Sequence, residues 1–125
     1  MGYKILVVDD SKLARMAVVK SLKALQPDWF RLEAANADEA AKLAPDADVA
    51  LLDFNMPGMD GLAFAAELRR SRPEMPLAII SANNQREVVQ SAHAIGATFL
   101  PKPLTEDALG SFLNDAIRRI KAEVR

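Results

Sequence analysis

Five polar side chains in this sequence recur at one kind of place, just past a short apolar run. Asp9 and Asp10 follow Ile5-Leu6-Val7-Val8, and Asp53 follows Val49-Ala50-Leu51-Leu52. Ser81 follows Leu77-Ala78-Ile79-Ile80, and Lys102 comes shortly after Thr98-Phe99-Leu100. Each has an ordinary explanation when taken singly. An Asp or Ser after a strand is commonly a turn residue or helix cap, and a lysine there is commonly solvated. Their repetition at the same end of successive runs points instead to one shared site. Carboxylates crowded into one pocket raise one another's pKa unless positive charge sits among them. A hard divalent cation answers that need, and Mg²⁺ takes a few carboxylates while keeping room for water and phosphate oxygens. Lys102 would add a fixed positive charge.

For this to hold, the runs must be neighbouring strands whose carboxyl ends lie together. The apolar runs are too short for helices and rich in β-branched residues, so they read as buried strands of a parallel sheet covered on both faces. Phe30-Arg31-Leu32-Glu33-Ala34 alternates apolar and charged residues, as an exposed edge strand would. Between the strands lie helical segments. Ser11 to Gln26 is stopped by Pro27, and Ala37 to Ala44 is barely two turns long before Pro45. Asp60 is placed to cap a helix from Gly61, and Gly96 to close the one carrying Val88, Val89, Ala92 and Ile95. Leu109, Phe112, Leu113, Ala116, Ile117 and Ile120 form one buried face of a last helix, with Thr105 as its N-cap.

The pattern is (βα)₅, an α/β doubly wound five-stranded parallel sheet with helices on both faces. Right-handed crossovers leave few strand orders. The order 2-1-3-4-5, common in flavodoxin-like folds, sets the weak second strand at an edge and makes strands one and three neighbours at the switch point. Ligands of open α/β sheets bind outside the carboxyl ends of strands at such a point. That is where Asp9, Asp10 and Asp53 would meet.

Composition bounds the rest. A chain of 125 residues fits one domain, 1–125, with one set of core layers. The formal net charge of −1 argues against direct nucleic-acid binding, which asks for a concentrated basic surface. Without cysteine there are no disulfides and no thiolate chemistry. No apolar run approaches the roughly 20 residues that span a bilayer, so no membrane association is expected. The start, Met1-Gly2-Tyr3-Lys4, leads to Asp9-Asp10 rather than a signal-peptide cleavage site. A cytoplasmic protein is the expectation.

These residues carry a resemblance along the length of the chain. Ile5-Leu6-Val7-Val8-Asp9-Asp10, then Leu51-Leu52-Asp53-Phe54-Asn55-Met56-Pro57-Gly58-Met59-Asp60-Gly61, then Ile79-Ile80-Ser81-Ala82, then Lys102-Pro103, resemble the response-regulator receiver family. The resemblance implies a phosphorylation-activated switch of two-component signalling, with Asp53 as phosphoacceptor. It implies Mg²⁺ held by Asp9, Asp10, Asp53 and the backbone carbonyl of Asn55, with Asp10 the more direct ligand. It implies Ser81 and Lys102 on the phosphoryl oxygens, and a cis bond between Lys102 and Pro103. The partners implied are a histidine kinase or phosphotransfer protein as donor, and a downstream target protein. Such a protein modifies only itself and is not an enzyme in the ordinary sense.

The chemistry of the residues agrees. An aspartate carboxylate is ionised at neutral pH, so it can attack phosphorus without a general base. Phosphoryl transfer then asks mainly for alignment and charge stabilisation. By the resemblance, Ser81 moves toward the phosphoryl group and Phe99 turns into the vacated space, changing the surface of the fourth helix, fifth strand and fifth helix. Core packing alone would also account for Phe99. By the same resemblance, Asn55 and Asn83, each two residues after a site residue, would flank the path of the water that hydrolyses the acyl phosphate. As amides they can orient water but cannot act as strong bases.

The remaining residues carry blander expectations. His93 has no second histidine to form a metal site with, Trp29 and Phe30 should cover the second strand, and Lys12 and Arg15 should lie on a solvated helix face. Competing readings are weaker. A haloacid-dehalogenase-like phosphatase needs an acid two residues after its nucleophile, where this chain has Asn55. A Rossmann-like nucleotide site needs a glycine-rich loop where this chain has Asp9-Asp10. A degenerate receiver that only binds protein partners, or a receiver excised from a longer regulator, stays open.

Overall fold

The computed structural model describes residues 2–54, 61–83 and 85–123. Five strands alternate with five helices: β1 Lys4–Val8, α1 Lys12–Leu25, β2 Phe30–Ala34, α2 Ala37–Leu43, β3 Val49–Asp53, α3 Gly61–Ser71, β4 Leu77–Ser81, α4 Arg86–Ala94, β5 Thr98–Pro101 and α5 Glu106–Glu123. The strands form one sheet in the order β2-β1-β3-β4-β5 with every pairing parallel, as expected. The polypeptide after α2 takes one 3₁₀ turn, Ala44–Asp46, around Pro45.

Alternation along the central strands sends side chains to opposite faces. Leu6, Val8, Ala50, Leu52 and Ile79 point to the face covered by α2, α3 and α4, where Ala40, Phe64, Leu68 and Ala92 meet them. Ile5, Val7, Val49, Leu51 and Ala78 point to the other face, against Leu22 of α1 and Leu109, Leu113 and Ala116 of α5. Because both faces are covered, β1, β3 and β4 read as unbroken apolar runs.

The helix ends follow local rules. Ser11 caps α1 by accepting the N–H of Ala14 at 3.2 Å, and Thr105 accepts that of Ala108 at 3.1 Å. Gly96, with φ of 72°, closes α4: its N–H donates to His93 and that of Ala97 to Ala92, each at 2.9 Å. The expected cap at Asp60 lies outside the described residues. One expectation fails. Trp29 is buried, edge-on to Tyr3, but Phe30 is 63% exposed at the start of the edge strand.

Candidate functional site

The register of the sheet brings the carboxyl ends of four strands side by side. Val8 pairs with Leu52, Asp53 with Ile80, and Ser81 with Pro101. Two bonds extend the ladder beyond its formal ends. The N–H of Phe54 donates to Ile80 at 2.9 Å, and that of Lys102 to Ser81 at 3.0 Å. Asp9, one residue past β1, donates its N–H to the carbonyl of Ala34 on β2 at 3.1 Å. The backbone thus fixes where Asp9, Asp53, Ser81 and Lys102 begin.

One carboxylate oxygen from each of Asp9, Asp10 and Asp53 lies within 4.8 Å of the other two. Asp9 and Asp53 are buried, while Asp10 is exposed. Lys102 reaches in from the other side, and its Nζ donates to Asp53 Oδ1 at 2.9 Å. The Lys102 side chain keeps 38% of its surface exposed, so this flank opens to solvent. Beside it, a groove of about 310 Å³ runs between Asp9, Ala17 and Val18 on one side and Lys102, Pro103 and Leu104 on the other. The Lys102–Pro103 peptide bond is cis, as the resemblance implied.

The electrostatics show what the cluster lacks. Burial pushes the Asp9 carboxyl above its ordinary value; the N–H of Ser11, donating to its Oδ1 at 2.9 Å, opposes this, and the neighbouring charge of Asp53 adds to it. For Lys102, burial works against the ammonium, but its bond to Asp53 and the field of Asp53, Asp9 and Asp10 prevail and hold it above its ordinary value. One lysine therefore faces three carboxylates. The donors are hard oxygens, two of them desolvated, with too little positive charge among them. This set suits a hard divalent cation such as Mg²⁺.

The other expected residues are placed as follows. Ser81 is 1% exposed, and its Oγ accepts the N–H of Asn83 at 2.9 Å. Phe99 on β5 is half-buried and packs on the α2–α4 face of the core. Asn83 Oδ1 accepts the N–H of Gln85 at 3.1 Å. His93 is exposed. The carbonyl of Asn55, and the stretch from Met56 to Asp60, lie outside the described residues.

Two residues near the site do more than the sequence suggested. Gly61 opens α3 against the backbone of Asp53, where an added Cβ would stand 2.3 Å from the Asp53 carbonyl oxygen. Only glycine admits so close an approach. Arg15 does not lie on a solvated face: its side chain is 15% exposed, and its Nη1 donates to the carbonyl of Asp9 at 2.6 Å. The signal for this pairing was an arginine in α1 and an opposite charge, Glu33, on the strand beside β1.

Residues 5–114 match the family model described as the response regulator receiver domain. The glycerol metabolism activator of Pseudomonas putida is 37% identical over 121 residues, spanning 94% of this chain and 53% of that protein. The DNA-binding transcriptional regulator NtrC of Salmonella typhimurium is 33% identical over 112 residues, spanning 89% of this chain and 24% of that protein. This chain therefore spans about half or less of the length of these relatives. Among solved structures, the chemotaxis protein CheY4 of Vibrio cholerae superposes with a TM-score of 0.81 at 30% identity, over 93% of this chain and 99% of that one.

Proposed function

This chain belongs to the response regulator receiver family, a phosphorylation-activated switch of two-component signalling, and on that footing we propose that Asp53 is its phosphoacceptor. The observation that carries the assignment is the contact between Lys102 Nζ and Asp53 Oδ1 at 2.9 Å, on the open flank of the acidic cluster. The donor is a phosphohistidine on a histidine kinase or phosphotransfer protein. A carboxylate oxygen of Asp53 bonds to phosphorus while the P–N bond breaks and its electron pair returns to the imidazole. The product is an acyl phosphate on Asp53.

The roles of the remaining residues follow from charge and position. Lys102 offsets the charge that gathers on the phosphoryl oxygens, and the Ser81 hydroxyl donates to one of them. Asp9, Asp10, Asp53 and the carbonyl of Asn55 would hold Mg²⁺, which when bound neutralises the carboxylates and draws the phosphoryl oxygens toward the site. The whole span 1–125 acts as one receiver, which catalyses only its own phosphorylation and dephosphorylation. Its place is the cytoplasm, the compartment whose ATP charges the kinase. Among the described residues no helix is long and apolar enough to cross a membrane.

Output follows from the position of Ser81. The Ser81 hydroxyl, which accepts the N–H of Asn83, still has its own proton to donate to a phosphoryl oxygen, and as it moves toward that oxygen the loop into α4 shifts with it. Phe99 fills the space released, and the surface of α4, β5 and α5 changes so that a downstream target protein binds. Phosphorylation shifts a pre-existing equilibrium rather than creating a new fold.

Two experiments test these halves separately. Phosphorylated chain reduced with borohydride should yield homoserine in place of aspartate at position 53; the same label at another position would overturn the assignment. Backbone NMR shifts in α4, β5 and α5 should change on activation, and unchanged shifts there would remove the output half.

A further inference from the structure

The backbone N–H, the backbone carbonyl and one carboxylate oxygen of Asp9 are each tied down. Its N–H is held by Ala34 and its Oδ1 by Ser11, and its carbonyl accepts from Arg15 Nη1 at 2.6 Å. Arg15 is itself placed by a second element, since its Nε stands 3.5 Å from Glu33 Oε1 on β2. That Nε is buried and makes no hydrogen bond among the described residues. A guanidinium is costly to desolvate, and here it is spent on one main-chain carbonyl and a half-exposed glutamate. Asp10 is the opposite case. It is exposed, and no hydrogen bond to a described residue holds its carboxylate. The backbone from which its side chain leaves is set in part by the peptide plane it shares with Asp9, whose carbonyl accepts from Arg15.

We propose that Arg15 is a positioning residue for the Mg²⁺ site, orienting the Asp9–Asp10 peptide so that the Asp10 carboxylate faces Asp9 and Asp53. The proposal rests on reading these three aspartates as the cation's ligands. Outer partners that orient ligands typically matter by about tenfold to a hundredfold in metal affinity.

Charge and position predict opposite signs, which makes the proposal testable. A cation beside an acidic cluster competes with Mg²⁺, so removing it on charge grounds alone tightens Mg²⁺ binding. Removing a positioning group weakens it.

The experiment is calorimetric titration of Mg²⁺ into the wild type, Arg15→Met, Arg15→Lys, Glu33→Gln and Asp10→Asn, with urea unfolding of each in the absence of divalent ions. We expect Arg15→Met to bind Mg²⁺ about tenfold more weakly. Arg15→Lys, which keeps a donor for the carbonyl, recovers most of that loss, and Glu33→Gln falls between. Unchanged or tighter binding by Arg15→Met overturns the proposal, as does a fall in stability with no change in Mg²⁺ affinity. If Arg15→Met does not fold, Glu33→Gln decides: weaker binding supports the role and unchanged binding removes it. Should the wild type and Asp10→Asn bind Mg²⁺ alike, it is the reading of the aspartates as ligands that fails.

Discussion

Lys102 and Asp53, 49 residues apart in sequence, meet at 2.9 Å through a bond between the lysine ammonium and the buried carboxylate. The contact depends on three neighbouring strands ending level. β5 carries Lys102 one residue beyond Pro101, and β4 holds its N–H at Ser81, beside the strand that ends at Asp53. The same ammonium that balances Asp53 at rest is in reach of any group that bonds to it.

Replacing Lys102 by Met should therefore slow phosphorylation from a small-molecule phosphodonor by about a hundredfold, the scale on which one preorganised donor to a transition-state oxygen acts. Mg²⁺ binding should persist, because its carboxylates remain. Stopped-flow or quench-flow rates at saturating Mg²⁺ check this, and a rate near that of the wild type would show that Lys102 serves only the resting state.

Asp9 is held in the charged cluster against its burial. Without divalent ions, Asp9→Asn should raise stability by about 1 kcal/mol, within the usual range for a single stabilising substitution. The amide oxygen can still accept the N–H of Ser11, so the turn survives. Mg²⁺ should reverse the order, since a ligand of the folded state adds stability according to its affinity and the wild type binds it better. Urea midpoints with and without Mg²⁺ measure both effects. A variant no more stable than the wild type in chelator would show that repulsion in the cluster is already relieved.

Gly61→Ala places a Cβ 2.3 Å from the Asp53 carbonyl oxygen and 2.8 Å from the Cα of Phe54. Both neighbours are backbone and cannot swing aside. Overpacking of this kind costs about 1–3 kcal/mol, and here the displaced atoms belong to the proposed phosphoacceptor. We expect lower stability together with slower phosphorylation. Unfolding curves and phosphorylation rates on the same samples check the pair; stability and rate both unchanged would mean that the two backbones part without cost.

Asn83 spends its side-chain oxygen on the N–H of Gln85 and its own N–H on Ser81. That leaves its NH₂ to orient water and nothing to accept a proton. Decay of the acyl phosphate should be neither unusually fast nor blocked, and Asn83→Glu and Asn83→Leu should differ from the wild type several-fold. Equal decay in all three would remove Asn83 from the path of the water.

The site was legible in the sequence because strand ends are. Each buried strand is an apolar run, and a polar residue that breaks the run marks its carboxyl end. Thus Asp9, Asp53 and Ser81 align by sequence pattern alone, with Lys102 near them. Two things were not legible. The face on which a helix-edge residue lies depends on how α1 crosses the sheet, and 3.6-residue periodicity does not give that crossing; Arg15 thus read as solvated. The close approach of α3 to β3 depends on a distance between backbones, whereas Gly61 in sequence reads only as a residue after a cap. Phe30 misled for a related reason. The edge position of β2 was read correctly, but its burial does not follow the alternation of residue types: Phe30 is exposed whereas Arg31 is partly buried.

Asp53, as proposed, takes up the phosphoryl group in a Mg²⁺-dependent step. Intact mass after incubation with a small phosphodonor tests it most directly, comparing the wild type with Asp53→Asn, each with Mg²⁺ and with chelator. We predict one phosphoryl adduct, on the wild type with Mg²⁺ only. An adduct of equal yield on Asp53→Asn, or one indifferent to chelator, would contradict it.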